Sequence, residues 1–308
     1  MTKLMMIAAV AATTLLVPIA SVPALATTVT VSAQNPVTQM DHISVESIGK
    51  GSPVLFIPGL SMPRDSWRAQ AERLKADHRV LLVQLNGFGG SEPGANLRAG
   101  LLAGVVADLH AYVAKEKINP QIVGHSLGGT IALDWAKTYP DDIQSAMIVD
   151  ALPWVGLIMA PPTATTASVQ PIAAAMRDRM AANYGKPADA AAAKALVSHL
   201  ALKPASQDQA AAWSLTADPR VTAAAFYDDM MLDLRGDMGT IKVPLTLLYP
   251  WSDQAFPKAA ADAIYHGAYA AAPNVTYVPV ADSAHFIMLD QPQAFAKALD
   301  AFVAAKAK

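Results

Sequence analysis

Ser126 is the residue in this chain best placed to act as a nucleophile. It sits in Gly124-His125-Ser126-Leu127-Gly128-Gly129, after a short strand-like run from Gln121 to Gly124 and before a helical stretch from Leu127 to Tyr139. G-x-S-x-G between a strand and a helix is a sharp turn whose glycines let the two elements approach and whose serine hydroxyl is lifted out at the strand's carboxyl end. The Leu127 N–H then opens the helix and faces the place where an oxyanion would form. A serine needs a base to take its proton, and the base needs a carboxylate to orient it. In such an architecture the chain order is serine, acid, histidine. Of the seven histidines, His42 and His78 lie at early strand starts and His110 on an early helix. His125 adjoins the nucleophile and is expected to face away from it in a structural role. His199 falls in a helical segment and His266 ends a helix. His285 follows the last apolar strand, in Val280-Ala281-Asp282-Ser283-Ala284-His285-Phe286, and is the expected general base.

Two carboxylates compete to orient that base. Asp253 follows the strand Leu245 to Tyr249, and Asp150 follows the strand Met147 to Val149. Asp253 is the expected acid. Asp150 is the alternative, otherwise expected to cap its own loop, as is Asp282. The second oxyanion donor is expected in Ile57-Pro58-Gly59-Leu60-Ser61-Met62, where Gly59 allows close backbone approach and Leu60 offers its N–H. A further glycine-rich loop, Asn86-Gly87-Phe88-Gly89-Gly90-Ser91, has neither the lysine nor the spacing of a phosphate loop. It is expected to pack beneath the oxyanion loop.

The elements that must position these groups alternate strand with helix. Ile43 to Ile48, Val54 to Ile57, Val80 to Leu85, Gln121 to Gly124, Met147 to Val149, Leu245 to Tyr249 and Val275 to Val280 read as strands, several of them apolar on both faces. Residues 66–76, 97–117, 127–139, 257–268 and 292–304 read as helices. Strands spaced by helices imply a mostly parallel sheet covered on both sides, an α/β fold. From about 152 to 238 no strand is legible; this is an Ala- and Met-rich helical insertion. Residues 27–39 read as a loose lead-in.

Composition narrows the chemistry further. Of 308 residues 53% are hydrophobic and 16% charged, with net charge −2. That excludes a disordered chain and offers no basic surface for nucleic acid. With no cysteine, disulfides, thiol nucleophiles and cysteine-bound metals are excluded. Lys3, an apolar run from Leu4 to Ile19 and the small-residue site Ala24-Leu25-Ala26 form the pattern of a secretory signal peptide. The run is short for a membrane span of about 20 residues, so cleavage after Ala26, a periplasmic or secreted location and no stable membrane anchor are expected.

Taken together the residues resemble the α/β-hydrolase superfamily over nearly the whole mature chain. The resemblance rests on Pro58-Gly59, Asn86-Gly87-Phe88-Gly89, the elbow Gly124 to Gly129, Asp253, and Ala284-His285-Phe286 with Leu289-Asp290-Gln291-Pro292. It implies 1–26 as signal peptide, 27–151 and 241–308 as the two parts of a hydrolase core, and 152–240 as a helical cap. Two positions depart from common family patterns: Pro58 stands where many members have His, and Asn86 where many have Asp. Relatives that hydrolyse haloalkanes or epoxides use an Asp nucleophile, which Ser126 argues against. The resemblance therefore implies serine ester hydrolysis of a small-molecule substrate, with lactone, amide or carbon–carbon bond cleavage as related alternatives. No metal or organic cofactor is needed. A catalytically inactive binding protein on the same scaffold is the reading from another class; such proteins lose serine, acid or histidine, and all three types are present here. Trp154, Trp213 and Phe226 in the cap suggest an apolar acyl or alcohol group, with the cap's own core as the alternative use of the same residues. Protein from the native host should begin at Thr27 on N-terminal sequencing; an intact Met1 on soluble cytosolic protein would contradict the expected leader.

Overall fold

The computed structural model describes residues 35–305. The expected leader, residues 1–26, lies outside the described residues. Eight strands form one sheet: β1 (Val37–Gln39), β2 (Ile43–Ile48), β3 (Ser52–Ile57), β4 (His78–Leu85), β5 (Gln121–His125), β6 (Ser145–Val149), β7 (Leu245–Trp251) and β8 (Val275–Ala281), in the order β1-β2-β4-β3-β5-β6-β7-β8. β2 runs antiparallel to β1 and β4; every pairing from β4 across to β8 is parallel. Six strands thus present their carboxyl ends at one edge. The chain steps from β3 outward to β4 and then back past β3 to β5. The β3–β5 boundary is therefore a topological switch point, where the loops leaving two neighbouring strands part and open a crevice. The loop 58–62 leaves β3 there, and the Ser126 turn leaves β5.

The helices are α1 (Arg68–Leu74), α2 (Leu101–Glu116), α3 (Leu127–Thr138), α4 (Thr166–Ala181), α5 (Ala190–Val197), α6 (Pro204–Ser214), α7 (Pro219–Met231), α8 (Lys258–Tyr269), α9 (Ile287–Asp290) and α10 (Pro292–Ala304). One core lies between the sheet and α2, α3 and α8, with Leu55, Ile57, Ile122, Ile131, Trp135 and Tyr249 among its buried members. A second lies on the opposite face, where Phe56, Trp67, Val123, Val149 and Phe295 meet. Each such side chain withdrawn from water contributes roughly 1.5–3 kcal/mol. Surface ion pairs contribute about 0–1 kcal/mol each, so burial rather than charge fixes the layers. No helix among the described residues is long and apolar enough to cross a membrane.

Three expectations are refined. The lead-in carries β1, an edge strand whose Val37 is exposed; with no buried run it leaves no periodic signal, and pairing with β2 holds it. The helix expected over 97–117 starts at Leu101, because Gly100 takes φ 80 and cannot continue a right-handed helix. A 3₁₀ turn, Arg64–Trp67, precedes α1.

Between β6 and β7 the described chain holds helices and no strand. α4 and α7 pack together around Trp154, Val169, Ala173 and Met230. Trp154 is fully buried and donates to the Met230 carbonyl at 2.9 Å. It is interior to this segment rather than a wall for a substrate. α7 docks on the core through the loop after β4. Gly90 N–H donates to Thr216 O at 2.7 Å, and Asp218 N–H to Gly87 O at 2.7 Å. A Cβ on Gly87, at φ 96, would meet Val221 Cγ2 at 2.5 Å. The Asn86–Ser91 loop touches the segment after the oxyanion loop through Gly89 and Pro63, but its main work is to seat α7.

Asp229 of α7 is buried with its Oδ1 unpartnered, facing α3. Burial pushes its carboxyl up to about 7, with Thr130 on α3 offsetting part of the shift. An unfolded aspartate titrates near ~3.9. Between those two values the native chain holds a proton that the unfolded chain has lost, so this group's contribution to stability declines as pH rises from ~4 to ~7 and then levels off. Asp229→Asn removes the ionisation. It should raise stability at pH 8 by on the order of 4 kcal/mol and leave it nearly unchanged at pH 4. Parallel pH–Tm curves for the two proteins would contradict this.

Candidate active site

The serine turn is built by close packing. A Cβ on Gly124 would lie 2.2 Å from the Gly128 carbonyl oxygen, and one on Gly128 would lie 2.3 Å from that of Ile57. Both contacts are with backbone, which cannot yield cheaply. β3, β5 and α3 therefore converge to a distance only glycine permits. Ser126 then takes φ 53 and ψ −122, a conformation side-chain-bearing residues rarely adopt. Its N–H donates to Val149 O at 3.0 Å, and its carbonyl accepts from Gly129 and Thr130 N–H at 2.7 and 3.1 Å. Its side chain makes no capping bond to α3, which leaves the hydroxyl free at the carboxyl edge of the sheet.

The two expected oxyanion donors are the amides of Leu127, which follows Ser126 directly, and of Leu60, which follows Gly59. Among the described residues neither amide donates to another backbone group outside the helices and strands. Leu127 is the first residue of α3, where no intrahelical acceptor exists. The Leu60 loop is set by Met62 N–H donating to Gly59 O at 3.1 Å, and by Ser61 at φ 62, whose hydroxyl meets that of Thr222 on α7 at 2.8 Å. A Cβ on Gly59 would come within 3.3 Å of Ser126 Cβ, so this loop lies directly against the serine.

His285 pairs with Asp150. Its Nδ1 stands 2.6 Å from Asp150 Oδ2, and both side chains are mostly covered. Burial pushes the Asp150 carboxyl up, but the facing His285 and the hydrogen bonds from His285 and Tyr265 outweigh it and hold the group below its ordinary value. Asp150 directly follows β6 at φ 47, a left-handed conformation that Asp tolerates better than most residues. Its other oxygen, Oδ1, accepts from the Tyr265 hydroxyl of α8. Asp253, the favoured acid from sequence, is placed elsewhere. It is exposed in a small loop closed by Ser252–Phe256 backbone bonds of 2.9 and 3.0 Å, and makes no hydrogen bond to His285. β7 runs on to Trp251, two residues past its expected end, and pairs with β8 as far as Ala281. Asp253 lies past that extension, while β6 stops at Val149 and the next residue, Asp150, meets the histidine.

His125 does more than face away. It is buried, and burial and the neighbouring His285 push its imidazole down to about 3, so it stays neutral. Its Nε2–H donates to the His285 carbonyl at 2.9 Å, with the two rings 4.5 Å apart. The residue before the serine thereby holds the backbone of the histidine. Asp290, fully buried, holds the same loop from the other side, accepting from Ala284 N–H at 3.1 Å and from Leu202 N–H at 2.9 Å. Phe286 N–H donates to Leu200 O at 3.0 Å. The histidine loop is thus tied to both the elbow and the helical insertion. His125 thus fills the structural role expected of it, whereas Tyr265 did not stand out in sequence. The only signal for Tyr265 was its four-residue spacing from Tyr269 on a helix beside the last strands.

Four of the five non-glycine residues with positive φ among the described residues lie at this edge: Ser61 after β3, Ser126 after β5, Asp150 after β6 and Asp282 after β8. Backbone strain is concentrated at the edge that carries Ser126 and the Asp150–His285 pair. Such an arrangement can remove a proton from a hydroxyl and stabilise an oxyanion on an attacked carbonyl.

Known proteins share this framework. A relative from Aeromonas salmonicida, a pimeloyl-[acyl-carrier protein] methyl ester esterase, is 28% identical over 277 residues, spanning 85% of this chain and 99% of its own. An N-formylmaleamate deformylase from Pseudomonas putida is 30% identical over 103 residues, covering 33% of this chain and 38% of its own. An esterase from Thermogutta terrifontis superposes with a TM-score of 0.70 at 21% identity, over 87% of this chain and 98% of that one. An enol-lactonase from Burkholderia xenovorans does so at 0.69 and 17%, over 88% and 100%. The family model described as alpha/beta hydrolase matches residues 54–298, from β3 through α10 and across every element of the site, and the chain belongs to that family.

Proposed function

We propose that this protein is a secreted serine hydrolase that cleaves a carboxylic ester of a small, largely apolar molecule through an acyl-enzyme. The observation that carries the reading is the 2.6 Å Asp150–His285 pair tied by His125 to the strained turn that exposes Ser126. Ser126 Oγ attacks the acyl carbonyl. His285 takes the serine proton and passes it to the departing alcohol. Asp150 holds the imidazole by Nδ1–H, fixing the tautomer and offsetting its positive charge. Leu60 and Leu127 N–H receive the oxyanion. Water, activated by His285 in turn, then releases the acid. Ester specificity is supported by the relatives that act as esterases. The helical segment between β6 and β7 acts as a cap over the reacting bond. Leu4 to Ile19 and Ala24-Leu25-Ala26 support export of the chain.

A panel of esters differing in chain length and leaving group, assayed with three variants, tests this reading. Ser126→Ala should lower kcat/KM by ~10⁴ or more, and Asp150→Asn by ~10³–10⁴. Asp253→Asn should cost less than ~10-fold, as expected for an exposed side chain away from the site. An inactive Asp253→Asn beside an active Asp150→Asn would overturn the acid assignment. Full activity in a folded Ser126→Ala would overturn the serine mechanism.

A further inference from the structure

Asp150 has two carboxylate oxygens, and His285 engages one of them. The other, Oδ1, is turned toward α8, where the Tyr265 hydroxyl donates to it. Tyr265 is 6% exposed, so no bulk water stands ready to replace that donor, and an unpaired oxygen on a buried carboxylate is costly. The tyrosine is itself held. Its ring stacks on Tyr249 with centroids 4.7 Å apart and planes at 27°. The Tyr249 hydroxyl donates to Asp262 Oδ1 at 2.7 Å and lies 3.2 Å from His266 Nε2, and Lys258 Nζ donates to Asp262 Oδ2 at 2.6 Å. One turn on, Tyr269 donates to the carbonyl of Ala151 at 2.8 Å. Two tyrosines four residues apart on one helical face therefore grip two consecutive residues, Asp150 by its side chain and Ala151 by its backbone.

We propose that Tyr265 is a positioning residue of the site: its hydroxyl fixes the Asp150 carboxylate in the orientation that presents Oδ2 to His285 Nδ1. The inference rests on Asp150 being the acid of the triad. A carboxylate at left-handed φ, at the very end of a strand, has no helix or ladder of its own to set its side chain. One hydrogen bond to the histidine leaves it free to pivot about that contact, whereas two, one to each oxygen, fix the plane of the group. A tyrosine that merely packs would need only its ring. The titratable groups facing Asp150 are His285 from the last loop, His125 from β5, and Tyr265 and Tyr269 from α8. His125 is pushed down to about 3, by burial foremost. Burial and the Asp150 charge push both tyrosines well above their ordinary value. None of these three changes charge between pH 5 and 9. A change in the pH profile on removing the Tyr265 hydroxyl therefore reports on the Asp150–His285 pair.

Tyr265→Phe keeps the stacked ring and deletes only the hydroxyl. On an ester substrate kcat should fall ~10–100-fold with KM within ~3-fold. The acid limb of kcat/KM should move to higher pH, because a carboxylate stripped of one donor is more basic and favours the imidazolium. In an Asp150→Asn background the same change should alter kcat/KM less than ~2-fold, since the group it orients is gone. Near wild-type activity in Asp150→Asn would overturn the acid assignment and this inference with it. A nearly inactive Asp150→Asn, beside a Tyr265→Phe whose kcat and acid limb match wild type, would overturn this inference alone, even if Tm falls.

Discussion

Everything at the carboxyl edge of the sheet depends on one backbone constraint: Ser126 held at φ 53 and ψ −122. That conformation costs on the order of 1–3 kcal/mol and survives only where its surroundings impose it. They do so through glycine. Gly124 and Gly128 let β5 run into α3 with no room for a methyl group, and Gly128 brings α3 against the end of β3. Relaxing the serine would separate the hydroxyl from the Leu127 amide and move His125, which holds the His285 carbonyl. The strained turn fixes Ser126, the first amide of α3 and one anchor of His285 at once.

Which aspartate meets His285 follows from sheet order. β6 lies beside β5, so the residue that ends β6 is one strand from the serine. β7 is one strand further out and overshoots, which leaves its Asp253 exposed on the far side of a small loop. Asp150 is covered, paired with His285 and backed by α8. In that setting charge–dipole interactions count for more than in water, and the carboxylate stays ionised against the cost of burial. The helical segment between β6 and β7 is part of the same balance. Its α7 end is seated on the Gly87 loop and meets Ser61 beside the oxyanion loop, while Leu200 and Leu202 bond to the histidine loop.

Much of this was legible in the residues. The buried strands announce themselves as apolar runs, the elbow by its glycines around a serine, and His285 by following the last strand. The acid was not, because two aspartates each follow a strand, and what separates them is where β7 stops. Trp251 pairs with Ala281 through backbone bonds that no side-chain pattern reports. Nor does sequence reveal that Ser61, Asp150 and Asp282 take left-handed backbone, since only glycine advertises that freedom. His125 takes the structural role expected of it beside Ser126; what no local pattern shows is its partner, a carbonyl 160 residues later. Of the two roles open to Trp154, lining a substrate or filling the insertion's own core, the structure shows the second, a choice that residue type alone does not make.

The central claim is that Ser126 is the activated nucleophile. Its most direct test is covalent. Protein treated with a fluorophosphonate, digested and mapped by mass spectrometry should carry one adduct, on Ser126, formed quickly in the wild type and at least ~10³-fold more slowly in His285→Ala. An adduct on another residue, or an unlabelled Ser126 in protein that still hydrolyses ester, would contradict the account.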